Sequence, residues 1–411
     1  MHPLKLTVLL ALFTMLGPLG IDTYLPSFHA IAREFAVDAT VVQQTLSVYV
    51  LGLALMMLVY GTLSDAIGRR RVMLFTVAGF GLVSLLASLA PSIEMLIALR
   101  AAQGLMAGAG MVVSRAMVQD RYQGAQAQRM MAMIMVVFGL APALAPILGG
   151  WLQLHGGWRA SFVFLAVFSL LLLATAWRAL PETLEVAHRT PLAWRPIGRN
   201  YLTAIRHRAF RRMLLAIGLM GSGMAVYIAS AAEFVVTLLG QSETGFGWLF
   251  IPLVGGGMLG SVISTFLASR LSPRRQKQIG FALMALACIV NVAYNALFTA
   301  SLPWAVLPIA LYTLSWSLIS PLVVLQAVGF FPTMRGLASS LQGFVQMLLF
   351  ALITSALVPV LFHSALWLAL GHATLVLSGM LIWALCARDA APAPHASARP
   401  WTSSSCRPRR H

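Results

Sequence analysis

Three ionisable side chains stand where water is scarce. Of the eleven Asp and Glu residues, only Asp22 and Glu233 fall inside long apolar runs, and Arg100 sits within another. A charge at membrane depth is costly unless it is paired or hydrated. A carboxylate whose charge follows its surroundings can take up and release a proton. A guanidinium keeps its proton in proteins and can serve as the counter-ion. Asp22 and Arg100 are therefore the candidate proton-coupling residues. Structural roles compete with this reading. Asp22 shares a helical face with Pro18 and Pro26 and can cap a broken helix end. Arg100 can donate to backbone carbonyls around the kink near Gly17 and Pro18. Glu233 reads as an interfacial residue or, with Tyr24 and Tyr49, as part of a candidate substrate pocket.

Other chemistries are missing. The only lysines are Lys5 and Lys277, and neither follows a glycine, so no phosphate-binding loop exists. There is no His-Glu-x-x-His, no Cys-x-x-Cys and no nucleophile elbow. Cys288, Cys386 and Cys406 make no disulfide framework. These absences point away from an enzyme. They call for no cofactor, no catalytic residue and no metal site.

The elements that hold the ionisable groups are membrane spans. Apolar residues make up 59% of the 411 and charged residues only 9%, too few to cover a soluble surface. That excludes a soluble enzyme, a disordered chain and a nucleic-acid-binding protein. A spanning helix needs about 20 apolar residues. Twelve such runs occur, near 5–26, 43–63, 72–91, 94–118, 130–153, 158–178, 212–236, 244–268, 278–299, 304–328, 337–360 and 366–386. The expected fold is an all-α membrane protein of twelve transmembrane helices. Most of the basic charge lies on alternate connections, at Arg69–Arg71, Arg121 and Arg129, Arg189 to Arg212, Arg270 to Lys277, Arg335, and Arg388 onward, while the opposite connections hold little more than Arg33 and Arg159. By the positive-inside rule these connections and both termini are cytoplasmic. The arginines face anionic lipid rather than nucleic acid.

The chain divides into two halves. A shift of 205 places Gly61–Arg70 on Phe266–Arg275, with the arginine pairs coinciding. The expected units are a six-helix half over 1–179, a cytoplasmic linker loop over 180–211, a six-helix half over 212–386, and a disordered basic tail over 387–411. Two such halves are the layout of a rocking secondary transporter.

Motifs refine this. Gly61-x-Leu63-x-Asp65-x-x-Gly68-Arg69-Arg70-Arg71 joins helices 2 and 3. Its glycines permit a tight turn, and Asp65 can cap a helix and pair with arginine. An ordinary charged turn would not need glycines, acid and arginines together. With Asp120 at the end of helix 4, Gly61, Asp65, Gly68, Arg69 and Arg70 form a candidate cytoplasmic gate. Helix 4 carries Arg100-Ala-Ala-Gln103-Gly104-x-x-x-Gly108. Helix 5 carries Gly139-Leu-Ala-Pro142-Ala-Leu-Ala-Pro146-Ile-Leu-Gly149-Gly150, either a functional packing motif or simply a kinked, close-packed helix. Gly255, Gly256, Gly257 and Gly260 of helix 8 are its expected opposing face.

The turn between helices 2 and 3 resembles the loop signature of the major facilitator superfamily, and the helix 5 motif is similar to that of its proton-coupled antiporters. Ile21-Asp22-Thr23-Tyr24-Leu25-Pro26, Gln44-Thr45-Leu46-Ser47-x-Tyr49-x-Leu51-Gly52, Trp158-Arg159-x-x-Phe162, Leu180-Pro181-Glu182-Thr183 and Gly336-x-Ala338-Ser339-Ser340-Leu341 resemble the Bcr/CflA drug-resistance group. The resemblance implies a drug/proton antiporter of the bacterial inner membrane, exporting compounds such as bicyclomycin or chloramphenicol, with the start of helix 11 near Gly336–Ser339 set against Asp65. Met57, Thr62 and Ala66 depart from the group at the turn. Thr14 stands where related multidrug exporters carry an extra carboxylate, which bears on cationic substrates.

The leading expectation is a monomeric, proton-coupled exporter of small lipophilic drugs, whose partners are drug, protons and membrane lipids. A proton-coupled transporter of one metabolite, such as a nucleoside or sugar, is the alternative. A non-transporting membrane receptor or enzyme lacks any supporting cluster. Broad antibiotic resistance in expressing cells separates the first reading from the second.

Overall fold

The computed structural model describes residues 3–185, 187, 189, 194–331 and 334–389. The described residues are helical, with short turns between helices. The helices are α1 (Pro3–Asp22), α2 (Phe28–Phe35), α3 (Ala39–Met57), α4 (Tyr60–Ile67), α5 (Arg69–Ser88), α6 (Ile93–Ala107), α7 (Ala109–Arg121) and α8 (Gly124–Ala179). They continue with α9 (Trp194–Arg206), α10 (Arg208–Ala229), α11 (Gly247–Ala268), α12 (Pro273–Leu297), α13 (Leu307–Val328), α14 (Arg335–Leu352), α15 (Val358–Leu361) and α16 (Ala365–Asp389).

Eleven helical segments are long and apolar enough to span a membrane. One of them, Gln126–Ala179, has 54 residues. At 1.5 Å per residue it would reach about 80 Å, far beyond a hydrocarbon core of about 30 Å. The chain breaks at Gly157, whose φ of 68° and ψ of −178° only glycine adopts readily. The segment is therefore two limbs, and the spans number twelve, as expected from the apolar runs. Pro3–Phe35 also exceeds one crossing. It breaks after Asp22 into a 3-10 turn, Leu25–Ser27, and the short α2, which ends on Ala36 in the left-handed conformation.

Large apolar side chains such as Phe75, Leu89, Leu170, Ile289 and Leu297 face outward, while Asp22, Arg100, Gln103, Asn291 and His372 are buried. A soluble core has the opposite order. Helices of residues 3–179 pack mainly on one another, as do those of 208–389. The halves meet where α3 lies on α14 and the first limb of α8 lies on α11.

Three expectations change. First, the linker is not all loop. Residues 194–206 form α9, which buries Ala204 and exposes Arg195, Arg199 and Arg206. Its Tyr201 hydroxyl donates to the Leu58 carbonyl at 3.1 Å. Second, residues 387–389 extend α16 instead of starting the tail, and the rest of the proposed tail, 390–411, lies outside the described residues. Third, the helix 8 glycines do not oppose helix 5. A Cβ on Gly256 or Gly260 would come within 2.2 Å of the Ala310 or Leu314 carbonyl oxygen, so this face of α11 packs on α13.

The closest crossing near Arg100 runs through Gly52 of α3 and Gly104 of α6. A Cβ on Gly104 would lie 2.0 Å from the Tyr49 carbonyl oxygen. Backbone cannot step aside as a flexible side chain does, so Gly104→Ala must part the two helices. The expected cost is about 1–3 kcal/mol, read as a lowered unfolding temperature in detergent. Gly139→Ala, which meets nothing within 4 Å, is expected to leave the temperature unchanged or raise it.

Candidate functional site

Arg100 is fully buried, about two turns into α6, a helix started by the Ser92 side chain accepting from the Met95 amide at 3.3 Å. Its Nη2 donates to the Gly20 carbonyl of α1 at 2.8 Å, and its Nη1 donates to Gln103 Oε1. Gln103 in turn donates to the Ser84 hydroxyl of α5 at 2.7 Å. The guanidinium carbon lies 4.2 Å from the ring centre of Tyr24 and 4.1 Å from that of Tyr49. Desolvated cation–π contacts of this kind are strong. A cation is also favoured at the carbonyl end of a helix, and Gly20 lies in the last turn of α1.

Both tyrosines are committed. The Tyr49 hydroxyl donates to the Gly17 carbonyl at 3.0 Å, just past Leu16 and beside Pro18. Thr45 donates its proton to the Val42 carbonyl at 2.6 Å, so the Tyr24 hydroxyl, 3.2 Å away, is the donor to Thr45 Oγ1. Tyr24 and Tyr49 have no exposed surface. They clamp the arginine and do not line a pocket, which corrects their expected place. The reason is geometric: helix 4 delivers Arg100 into the break of helix 1, between the two rings.

Asp22 is only 2% exposed. No ion pair joins it to Arg100 within 4.0 Å among the described residues, and its Oδ1 is buried without a hydrogen-bond partner. Arg100 Nε also lacks one. The two groups are neighbours in the same buried centre, but the two terminal guanidinium nitrogens bond an amide and a carbonyl and its faces lie on rings. The expected counter-ion pair is not formed.

A second constellation lies on the arginine-rich face. Gly68 turns the chain from α4 into α5 with a φ of 103°. Arg69 then pairs with Asp65 at 2.5 Å and with Asp120 at 3.1 Å. The Arg69 and Arg70 amides donate to the Glu182 carboxylate at 3.0 and 3.3 Å, placing an anion on the start of α5. Arg70 donates to the Leu180 and Trp177 carbonyls at 2.9 and 2.6 Å, placing a cation on the end of α8. Thr183 donates to Asp120 at 2.9 Å. Asp65, Gly68, Arg69, Arg70 and Asp120 therefore do converge. Gly61 stands apart, its nearest neighbour for a Cβ being Val112 at 4.0 Å. Around Gly336 there is open space. Glu182 and Thr183 were missed as members of this cluster. Their signal was visible: an acid among a run of arginines, at a helix end on the same face.

Helix 5 contributes at its far end. A Cβ on Gly149 would meet the Thr23 carbonyl oxygen at 1.9 Å, and one on Gly150 the Glu243 carbonyl oxygen at 2.3 Å. Gly149 thus seats helix 5 on the break of helix 1, and Gly150 seats it on the other half. Pro142 and Pro146 lie between these and Gly139, where the surroundings are open, as they are at Gly255. On the face opposite the arginines the halves are joined further. His29 meets Glu233 at 3.0 Å, Arg33 approaches Glu243 at 4.0 Å, and Gln44 exchanges hydrogen bonds with Ser355 at 3.1 and 3.3 Å. Glu233 lies beyond α10, in a π-helical turn over Glu233–Leu238, near the outer end of the 212–236 run, as its interfacial reading expects. These contacts join the halves on this face.

The family model described as Major Facilitator Superfamily matches residues 10–354. An uncharacterised transporter of that type from Bacillus subtilis, YdgK, is 34% identical over 249 residues, 60% of this chain and 62% of its own length. A bicyclomycin resistance protein homolog from Haemophilus influenzae is 28% identical over 337 residues, 82% of this chain and 84% of its own. Among solved structures, a bacterial homolog of the human lysosomal transporter Spinster superposes with a TM-score of 0.73 at 14% identity, covering 94% of this chain and 97% of that one.

The Arg100 centre generates a direct test. Lysine keeps the charge but not the planar fork that reaches both Gly20 and Gln103. Arg100→Lys is expected to insert and fold, to unfold at lower temperature, and to lose most transport. Wild-type thermal stability and transport in this variant would show that a point charge suffices.

Proposed function

The chain belongs to the Major Facilitator Superfamily, and from that premise we propose that it is a proton-coupled exporter of small lipophilic compounds, of the Bcr/CflA drug-resistance kind. It is a transporter and not an enzyme. The arginine-rich face is the cytoplasmic one, in a bacterial inner membrane, with both termini inside.

The observation that carries this reading is Asp22, buried inside the fold with an unpartnered carboxylate oxygen beside a cation whose terminal nitrogens are bonded elsewhere. A purely structural acid would be capped or paired. This one is left for a partner that comes and goes. A proton from the outside neutralises Asp22 when the outer face is open and wet. Neutral, it tolerates the closed apolar surroundings in which the halves present their inner side. Substrate entering from the cytoplasm, with water, restores the charge, and the proton leaves inward. Inward passage of one charge is worth about 2.3 kcal/mol per 100 mV. Arg100 does not titrate. Its clamp holds the break of helix 1, and so the position of Asp22, through the cycle.

The uncharged stretches of α8 and α11, which lie against each other, support a lipophilic substrate. Helix α11 has no charged residue, and α8 has none from Met130 to Leu154. The printed name of the Haemophilus relative, bicyclomycin resistance protein homolog, is in keeping with such a substrate. The knot of Asp65, Arg69, Asp120 and Glu182 stiffens the cytoplasmic end of one half. Asp65 pairs with Arg69 through Oδ1 and is partly exposed, so it can also meet the start of α14 when that side closes.

Asp22→Asn is expected to abolish efflux driven by an imposed pH gradient in proteoliposomes, while the protein still folds, inserts and binds drug. Undiminished gradient-driven efflux by this variant would overturn the assignment of Asp22.

A further inference from the structure

His29 belongs to α2 in one half and Glu233 to the turn beyond α10 in the other. Their side chains meet Nε2 to Oε1 at 3.0 Å, on the outer face. The second carboxylate oxygen accepts the Thr237 hydroxyl at 2.7 Å, which aims the first at the imidazole. Behind the pair is a cavity of about 20 Å³, lined by Phe28, His29 and Gln43 from one half and Ser230, Glu233 and Phe362 from the other. Two nitrogens at this cavity are buried without a partner: His29 Nδ1 and Gln43 Nε2. Gln43 is 3% exposed. The volume admits one water, which can accept from Gln43, satisfy either protonation state of His29 Nδ1, and donate to Ser230 Oγ.

We propose that His29 and Glu233 form a second proton-binding site, assembled from both halves and filled from the outside as the outer face closes. The proposal rests on the reading of the chain as an alternating-access transporter, and not on Asp22 being the coupling group. Imidazole is the side chain that ordinarily changes charge between pH 5 and 8. The hydrogen bond from His29 holds the Glu233 carboxyl below the usual range, which keeps a negative charge facing the imidazole. With His29 neutral, one hydrogen bond joins the halves. With His29 protonated, the same contact becomes a charge pair across the seam.

The other charged groups nearby do not replace this pair. Arg33 of α2 is turned toward Glu243 at 4.0 Å, and Glu34 is held by Trp158 and Arg159, each at 2.6 Å. Asp38 is exposed at the start of α3. His363, in the turn before α16, acts on Glu233 in the same direction as His29. When the halves part, His29 meets water alone. The closed face therefore binds more protons than the open one, and acid outside favours closing. A proton bound here departs through the same face when it reopens. The site biases the cycle toward the inward-open state under the gradient that drives export, and leaves the number of protons carried per cycle unchanged.

The test places spin labels at Thr40→Cys and Thr244→Cys, on either side of the seam, in full-length protein whose three native cysteines are serine, reconstituted in lipid nanodiscs. Lowering the pH from about 8 to about 6 is expected to raise the closed-to-open ratio about three- to tenfold. His29→Gln and Glu233→Gln should each flatten that response. His29→Lys should hold the face closed at both pH values, an outcome that misfolding does not mimic. Asp22→Asn should keep the response. A wild-type ratio indifferent to pH overturns the proposal, and so does a response that survives His29→Gln but vanishes in Asp22→Asn. Failure of the Asp22 assignment in the efflux assay would leave this response intact, so the two readings fail separately.

Discussion

The guanidinium of Arg100 is the point on which the first half is organised. A permanent charge with no exposed surface must find acceptors within the protein, and it finds the last-turn carbonyl of Gly20, the amide of Gln103 and the faces of Tyr24 and Tyr49. Each partner comes from a different part of the chain: α1, α6, the turn after α1, and α3. One side chain thereby ties three helices together at the level where the first is broken. The glycine crossing of α3 and α6 at Gly52 and Gly104 is what lets them come close enough. The clamp also explains why Asp22 is left over. With the terminal guanidinium nitrogens on Gly20 and Gln103, Asp22 Oδ1 is left without a donor.

The two ends of the molecule use charge differently. On the arginine-rich face, Arg69, Arg70, Asp65, Asp120 and Glu182 all lie within the first half. That knot can persist while the halves move, because no bond in it crosses the seam. On the opposite face, His29–Glu233, Arg33–Glu243 and Gln44–Ser355 all cross it. Those contacts must be exchanged for water whenever that face opens. They are few, and partly exposed, so each is worth little on its own. Such contacts set a bias between states without locking either.

Much of the fold was legible because the membrane imposes length and apolarity directly on sequence. Twelve runs of about 20 residues marked twelve spans, and the break between the fifth and sixth lies at Gly157, between the two runs. The convergence of Asp65, Arg69 and Asp120 was also legible, since arginine distribution put the ends of helices 2 and 4 on one face. What spacing could not convey was partner choice. Tyr24 and Tyr49 were placed near a pocket because aromatic residues suit one, yet whether a ring lines a cavity or covers a guanidinium depends on how α3, α6 and the turn after α1 cross. The glycines of α11 were matched to helix 5 on composition alone. Their carbonyl neighbours, Ala310 and Leu314, lie in a helix with no small-residue motif to announce the contact. The apolar run of helix 7 extends to residue 236, and hydropathy does not reveal that α10 ends at Ala229, with Glu233 starting a π turn beyond it.

Helix 1 shows how these pieces constrain one another. Its break after Asp22 is gripped from one side by Arg100 and from another by Gly149, which lets helix 5 rest on the Thr23 carbonyl. One residue further, Gly150 rests on the Glu243 backbone of the other half. Helix 5 is therefore in contact, through adjacent glycines, with the segment that carries the buried carboxylate and with the partner half that must move past it. In the proposed cycle, opening this face would withdraw Glu243 from Gly150 and leave Gly149, whose contact lies within one half, on Thr23. A change at Asp22 that shifts the break of helix 1 would be passed to helix 5, and from there to the seam. The buried acid and the closing face are thus linked through backbone contacts too short to admit a side chain. Glycine at both 149 and 150 is a condition of that link, whichever compound the protein carries.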